Sequence, residues 1–351
     1  MLLSNLDVLA TAPGGVARLR ELILTLAVQG KLVAQDPADE PAGVLLQKIR
    51  AEKDSLIAEG KIKRDKPLAE IGDEEKPFEL PQGWEWVRVG QVSARVQYGI
   101  TASADHASTW PRFVRITDIQ KDRVNWETVP GVQGQPEDFA DHYLMPGDLL
   151  IARTGGTIGK SFLVPNVQGE AVFASYLIRI TPIAGLQPSY LKVFASSGHY
   201  WDQLREKSMG TGQPNVNGTA LSLLSLPLPP LAEQSRIVTR VEALMRLCDA
   251  LEAKGQLEAA QHAQLVSTLL ALLVGIIAAV LITRQITGPL RETLAVVERI
   301  AERLRCAFGM LTFDLHDYPS NFTIVAIIAT AETNVERIMF DFKFFMYCTL
   351  L

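Results

Sequence analysis

Residues Leu226–Leu251 read LPLPPLAEQSRIVTRVEALMRLCDAL. Proline fixes φ and has no N–H, so Pro227, Pro229 and Pro230 cannot lie inside a helix or a central strand. The start of this stretch is therefore extended. Glu233 and Gln234 then open a helix with apolar residues at Ile237, Val241, Leu244, Cys248 and Leu251. These step by 4, 3, 4 and 3, the seam of a two-helix coiled coil. A globular domain is being handed to a helical strut. The seam weakens after Leu251, because Gly255 and Glu258 take its next positions.

On the N-terminal side, Leu19, Leu22, Ile23 and Leu26 form one helical stripe, with Gly30 as its stop. Leu45, Leu46, Ile49, Leu56 and Ile57 mark a second helix over 41–60. The charged stretch that follows, up to Trp84, reads as an exposed linker. From Trp84 to Pro227 the texture is that of one mixed α+β domain. Short β-like runs (Trp86–Val89, Phe113–Ile116, Asp148–Ala152, Leu177–Ile180) alternate with Gly, Pro and Asn turns, and a helix is expected over 188–208. Charge gives no global pull toward nucleic acid, since the 351-residue chain carries −5. Acidic and basic residues are about balanced between Leu80 and Pro230, so DNA binding there needs a sorted face. Three scattered cysteines support neither a zinc ribbon nor a disulfide framework and suit a cytoplasmic, reducing compartment. The N-terminus lacks the pattern of a signal peptide.

Beyond the seam, LLALLVGIIAAVLI (269–282) is uncharged and apolar on every face. With Leu265–Thr268 it reaches the lower limit for spanning a bilayer, about 17 residues, and Arg284 and Arg291 follow it. Membrane association through 265–282 is one expectation; a buried helix is the other. The expected layout is a helical segment and linker (1–80), a recognition domain (81–231), a spacer helix (232–268), an apolar helix (269–305) and an unassigned tail (306–351).

Candidate chemistry centres on DLLIARTGGTIGKS, Asp148–Ser161. It imitates a phosphate-binding loop, but the first glycine of that motif is Thr154 here. A simpler use is close backbone approach at Gly155 and Gly156, with Arg153, Thr154 and Lys160 suited to phosphate oxygens or guanine edges. The alternative is a tight hairpin with solvated charges. A second cluster holds Gln213, Asn215 and Asn217, amides that can bond adenine or simply turn the chain. A third holds Tyr98 and Thr101, with Arg115 downstream. His106, His142 and His199 are scattered, and Asp249 with Glu252 and Lys254 is only a faint nuclease-like set on a helix face. No catalytic set, metal site or cofactor is expected.

Several pieces in order carry a family likeness. They are Leu80–Gly90, Tyr98–Thr101, Pro146–Gly156 with Ile158–Lys160, Ala174–Ile180, Gln213–Asn217, and most of all Leu226–Val238 with Leu247–Leu251; Leu26–Leu32 and Asp36–Pro41 add to them. Over about residues 1–270 the chain resembles the specificity subunits of type I restriction-modification systems. The resemblance implies a non-catalytic reader of one half of a bipartite duplex target. It implies docking to methyltransferase subunits and, through them, to the restriction subunit. Such chains usually carry two recognition domains, whereas one is visible here, which points to a homodimer or to a truncated product. Residues 272–301 are similar instead to a chemoreceptor membrane helix and the HAMP helix after it, with a turn at Ile286–Leu290, as in a fused or frameshifted gene. Two other readings remain at this stage: a membrane-anchored signalling fragment using 265–301, and a nucleotide-binding enzyme using 154–161.

Overall fold

The computed structural model describes residues 14–311 apart from 109, 121, 166–169 and 209–214. The tail beyond 311 lies outside the described residues. Contacts divide the chain into Met1–Ala260 and Gln261–Leu351. Helices α1 (Gly15–Val28) and α2 (Ala42–Ala58) come first. Strands follow as β1 (Glu85–Arg88), β2 (Ser93–Tyr98), β3 (Ala104–Asp105), β4 (Arg112–Val114), β5 (Ile119–Gln120) and β6 (Arg123–Val124). Then come β7 (Gly131–Val132), β8 (Leu149–Ala152), β9 (Ser161–Leu163), β10 (Ala171–Phe173) and β11 (Leu177–Pro182). Helices α3 (Pro188–Phe194), α4 (Gly198–Ser208) and α5 (Gly218–Ser222) lead to β12 (Ser225–Leu228) and α6 (Leu231–Leu311). The fold is α+β.

Strands β2, β11, β8 and β9 form an antiparallel sheet in that order. Strands β10, β4, β7 and β3 form a mixed one, with β10 and β4 parallel. The proline-rich strap is β12, paired with β1 in a two-stranded ribbon that sets Pro227 opposite Trp86. Both strands of such a ribbon are edges, so proline is tolerated there. The Pro227 carbonyl accepts from the buried Tyr190 hydroxyl at 2.7 Å. The largest core cluster joins Ile23, Leu45, Ile178, Tyr190 and Ile237, and so ties both N-terminal helices, the sheet and the first turns of α6 together.

Gly30 stops α1 as its sequence position predicts. It lies in the left-handed region (φ +67°), and the Lys31 N–H donates to the Leu26 carbonyl at 2.9 Å. The expected 188–208 helix is broken at 195–197. There the Ser197 hydroxyl bonds the Phe194 carbonyl at 2.7 Å, the local competition by which serine ends helices.

The seam residues Ile237, Val241 and Cys248 are buried, while Leu244 and Leu251 are half-buried. Arg20 of α1 donates to Asp249 and Glu252, each at 2.7 Å, so α1 lies beside this segment. Those two carboxylates are thereby occupied, and the faint nuclease-like set is an interhelical ion pair. Helix α2 packs elsewhere, with Leu45 and Ile49 crowding Gly185.

The charged stretch before Trp84 is held down more firmly than its composition suggests. Arg88, 3 % exposed, donates to the carbonyls of Ala69 (3.0 Å), Glu70 (2.7 Å) and Leu223 (2.6 Å). Its guanidinium also grips the Glu75 carboxylate at 2.7 and 2.6 Å. That grip pulls the Glu75 pKa from 4.5 down to about 2. A carboxyl whose pKa is lower when folded stabilises above its unfolded value and stops doing so as pH falls. After discounting for solvent screening, about 2 kcal/mol should be lost as pH drops from roughly 4.5 to 2. Urea denaturation at a series of pH values checks this, and Glu75→Gln should flatten the loss.

In the second unit, residues 261–303 are helical with their apolar side chains outward. Leu269, Leu273, Ile276 and Val280 are 50–65 % exposed. This segment is long and apolar enough to cross a membrane by length and composition. The turn expected at Ile286–Leu290 is helical instead, with Pro289 inside the helix. A single proline removes one main-chain donor, here the partner of the Gln285 carbonyl, and does not always end a helix.

Candidate functional site

Three consecutive residues, Ala174–Tyr176, gather the candidate clusters at one end of the antiparallel sheet. The Ala174 N–H donates to the Val114 carbonyl (3.0 Å), and the Ser175 N–H to the Ile100 carbonyl (2.8 Å). The Tyr176 carbonyl accepts from the Arg153 N–H at 3.0 Å. Thr101 follows Ile100, and Arg115 follows Val114. Three stretches far apart in sequence thus meet on one short crossing. A fourth arrives through Asn215, bridged to Thr154 in antiparallel fashion, and the Val216 N–H donates to the Arg153 carbonyl at 3.0 Å.

At the centre the Arg153 guanidinium lies over the Tyr98 ring, 4.7 Å from its centroid. This cation–π contact steers a flexible arginine. The Tyr98 hydroxyl accepts from the Gly218 N–H at 2.8 Å, which fixes the ring. Arg153 Nε reaches Asn215 Oδ1 only at 3.5 Å, and no acid neutralises its charge among the described residues.

Residues 149–163 form a hairpin of β8 and β9, closed through a short turn at Gly155–Thr157. Gly159 packs it against α4. It has φ +79°, and a Cβ there would lie 2.7 Å from Trp201 and 2.6 Å from Leu204. The Tyr200 hydroxyl bonds the Gly159 carbonyl at 2.8 Å. Gly155 and Gly156 at the tip face open space, and Lys160 is exposed. Strand β9 begins at Ser161, so no helix follows Lys160. Phosphate-binding loops need that helix N-terminus. The nucleotide-enzyme reading of 154–161 is therefore set aside.

Two expected roles change. Arg115 spends Nε and Nη2 on Asp118, at 3.0 and 2.9 Å, and its pKa is raised by that partner, so its charge is already satisfied. Asn217 caps α5, its Oδ1 accepting from the Ala220 N–H at 2.8 Å, and is not free to read a base. Gln213 lies outside the described residues. Tyr176 lies within the Ala174–Ile180 run of the family likeness, but its part at the site, like that of Gly218, comes from contacts with distant strands that no local pattern shows. His199 is also structural. It lies among the rings of Phe78, Trp86 and Phe194, and burial lowers its pKa.

Residues 81–261 match the family described as the type I restriction modification DNA specificity domain. The chain belongs to this family. The type I restriction enzyme EcoEI specificity subunit of Escherichia coli is 34 % identical over 273 residues, 74 % of this chain and 45 % of that protein. The chain thus spans less than half the length of that relative. The HsdS subunit of Thermoanaerobacter tengcongensis is a solved neighbour at 19 % identity and a TM-score of 0.40, covering 72 % of this chain and 51 % of that one. A different relative matches 66 residues at 53 % identity, 18 % of this chain and 10 % of that protein: the chemotaxis protein McpS of Pseudomonas putida. A specificity-family chain therefore also carries chemoreceptor-like sequence, in keeping with the likeness of residues 272–301.

Proposed function

We propose that this chain reads one half-site of a duplex DNA target as the recognition component of a type I restriction-modification complex. The observation that carries this is the unneutralised Arg153 guanidinium, held over Tyr98 beside Asn215, Thr154 and the open glycines of the hairpin tip. An arginine aimed from a rigid platform suits guanine O6 and N7, and an amide suits adenine. Lys160, exposed on the hairpin, adds a phosphate contact; Thr101, next to Ile100 at the crossing, is a further candidate. Catalysis belongs to the partners in this reading: residues 232–268, beside α1 as far as Glu252, form the spacer that docks a methyltransferase subunit, and the restriction subunit joins through it. One recognition domain reads one half-site, so a second copy would complete a bipartite target.

Selection from a pool of randomised duplexes tests the reading directly. The full-length chain, with its methyltransferase partner, should enrich a short fixed sequence. A pool that stays random after repeated rounds would reject it.

A second reading concerns placement. The outward-facing apolar helix favours insertion of 265–282 into a bilayer. Protein that stays with membranes through high-salt and alkaline washes supports it, whereas release by salt alone places the chain in the cytoplasm.

A further inference from the structure

The antiparallel sheet ends on one side at β2, and residues 60–66 (GKIKRDK) run beside that free edge. Arg95 of β2 fastens them, its Nη2 donating to the Lys61 carbonyl at 2.8 Å. Between the segment and the strand lies a cleft of about 400 Å³, lined among others by Lys61, Lys63, Arg95 and Gln97. The carboxylates that reach this edge are already taken. Glu59 pairs with Lys61 (2.7 Å), Asp65 with Lys53 (2.9 Å) and Asp141 with Arg95 (3.6 Å). Lys63, Arg64 and Lys66 are left exposed, with no acid partner among the described residues. A chain of net charge −5 thus concentrates unpaired positive charge on one short segment.

We propose that Lys63, Arg64 and Lys66 are a phosphate-backbone clamp that extends the duplex footprint beyond the base-reading cluster. The proposal rests on the duplex-binding reading above. Arg95 and Tyr98 are on the same strand, three residues and about 10 Å apart. Their side chains lie on opposite faces of the sheet, so the clamp requires the duplex to overhang the β2 edge, where further phosphates, about one every 1.7 Å of its axis, meet the segment. The chemistry also fits backbone better than bases. Long, exposed cations on a loop have no rigid platform to aim them, unlike Arg153, and so position a duplex without reading it. An acidic protein face is the competing occupant.

The test uses the full-length chain and a random-sequence duplex, with affinity measured by fluorescence anisotropy over a salt series. Each phosphate neutralised contributes about 0.9 to the slope of log K against log salt. The variant K63Q/R64Q/K66Q should lose about two to three units of slope. It should weaken random and selected duplexes by the same factor, and its thermal unfolding should match the parent because the three side chains hold nothing. Lys61→Gln, already paired with Glu59, should change the slope by less. An unchanged slope in the triple variant overturns the clamp, whether or not assembly with a methyltransferase is impaired; impaired assembly would assign the segment to a protein face. A change in selected-over-random preference without a change in slope also overturns it. If the parent chain shows a selected sequence and a salt slope while the triple variant matches it, only the clamp falls. If the parent binds no duplex, both readings fall.

Discussion

Replacing Glu233 with Ala should lower the unfolding free energy by about 3 kcal/mol, read as a shift in the urea midpoint. Glu233 is 1 % exposed and begins the helix that leaves the globular domain. Its carboxylate accepts from Trp84 Nε1 at 2.9 Å and from Gln35 Nε2 at 2.7 Å. Truncation strands the buried Trp84 Nε1–H and leaves a hole under the strap, whereas the exposed Gln35 keeps its bond to the Gly30 carbonyl at 3.0 Å. Gln234 completes the joint, bonding the carbonyls of Gly185 and Pro229, each at 3.1 Å, and accepting from the Gln187 N–H at 2.8 Å. The glutamate also carries a penalty: burial raises its pKa, with the two donors pulling the other way. A carboxyl whose folded pKa is raised binds its proton more tightly in the folded state. Its charged form therefore weakens the fold as pH climbs from the ordinary carboxylate range through the raised value. Glu233→Gln should be milder than Glu233→Ala, and its stability relative to the parent should improve over that same climb. A relative stability independent of pH would show that Glu233 stays neutral or is solvated. The sign is opposite to that expected for Glu75, so one pH series separates the two carboxyls.

Features with short-range causes could be read from the chain. The extended strap follows from three prolines, the seam from a 3.5-residue repeat, and the end of α1 from one glycine. In the Leu-Ala-Glu-Gln segment, residues 231–234, the sequence marks the start of a helix. It does not show that Glu233 and Gln234 are buried polar locks, because their partners Trp84, Gln35, Gly185 and Gln187 lie far away in sequence. The same limit applies at the site. Tyr98, Arg153 and Asn215 are visible as separate clusters, and it is the crossing at Tyr176, the β2–β11 pairing and the Thr154–Asn215 bridge that bring them together. Asn217 shows the converse problem. An amide in an Asn–Gly turn suits a helix cap as well as a base edge, and backbone geometry decides for the cap. Arg88 is the clearest case of composition misleading. A charged, apolar-poor stretch reads as linker, yet one buried arginine collects two of its carbonyls and a carboxylate.

The largest effect on binding is expected from Arg153. Arg153→Ala should weaken a selected duplex by about ten- to a hundredfold, the worth of one bidentate base contact, and a random duplex by much less. Lys61→Ala is the control, expected to weaken binding less, since Lys61 is tied to Glu59. Arg153→Lys distinguishes two uses of the charge. An ammonium keeps the phosphate attraction but lacks the planar fork, so it should preserve the salt slope and still lose selectivity. Tyr98 acts through Arg153 in this account. Tyr98→Phe keeps the ring under the guanidinium and loses only the bond to Gly218, whereas Tyr98→Ala removes the platform. The expected order of selectivity is parent, then Phe, then Ala, with Ala approaching the Arg153→Ala level. In the double variant Tyr98→Ala/Arg153→Ala the losses should not add, because one residue has value only through the other. Additive losses would mean that Tyr98 contacts the duplex on its own account, stacking on a base as its ring chemistry equally permits.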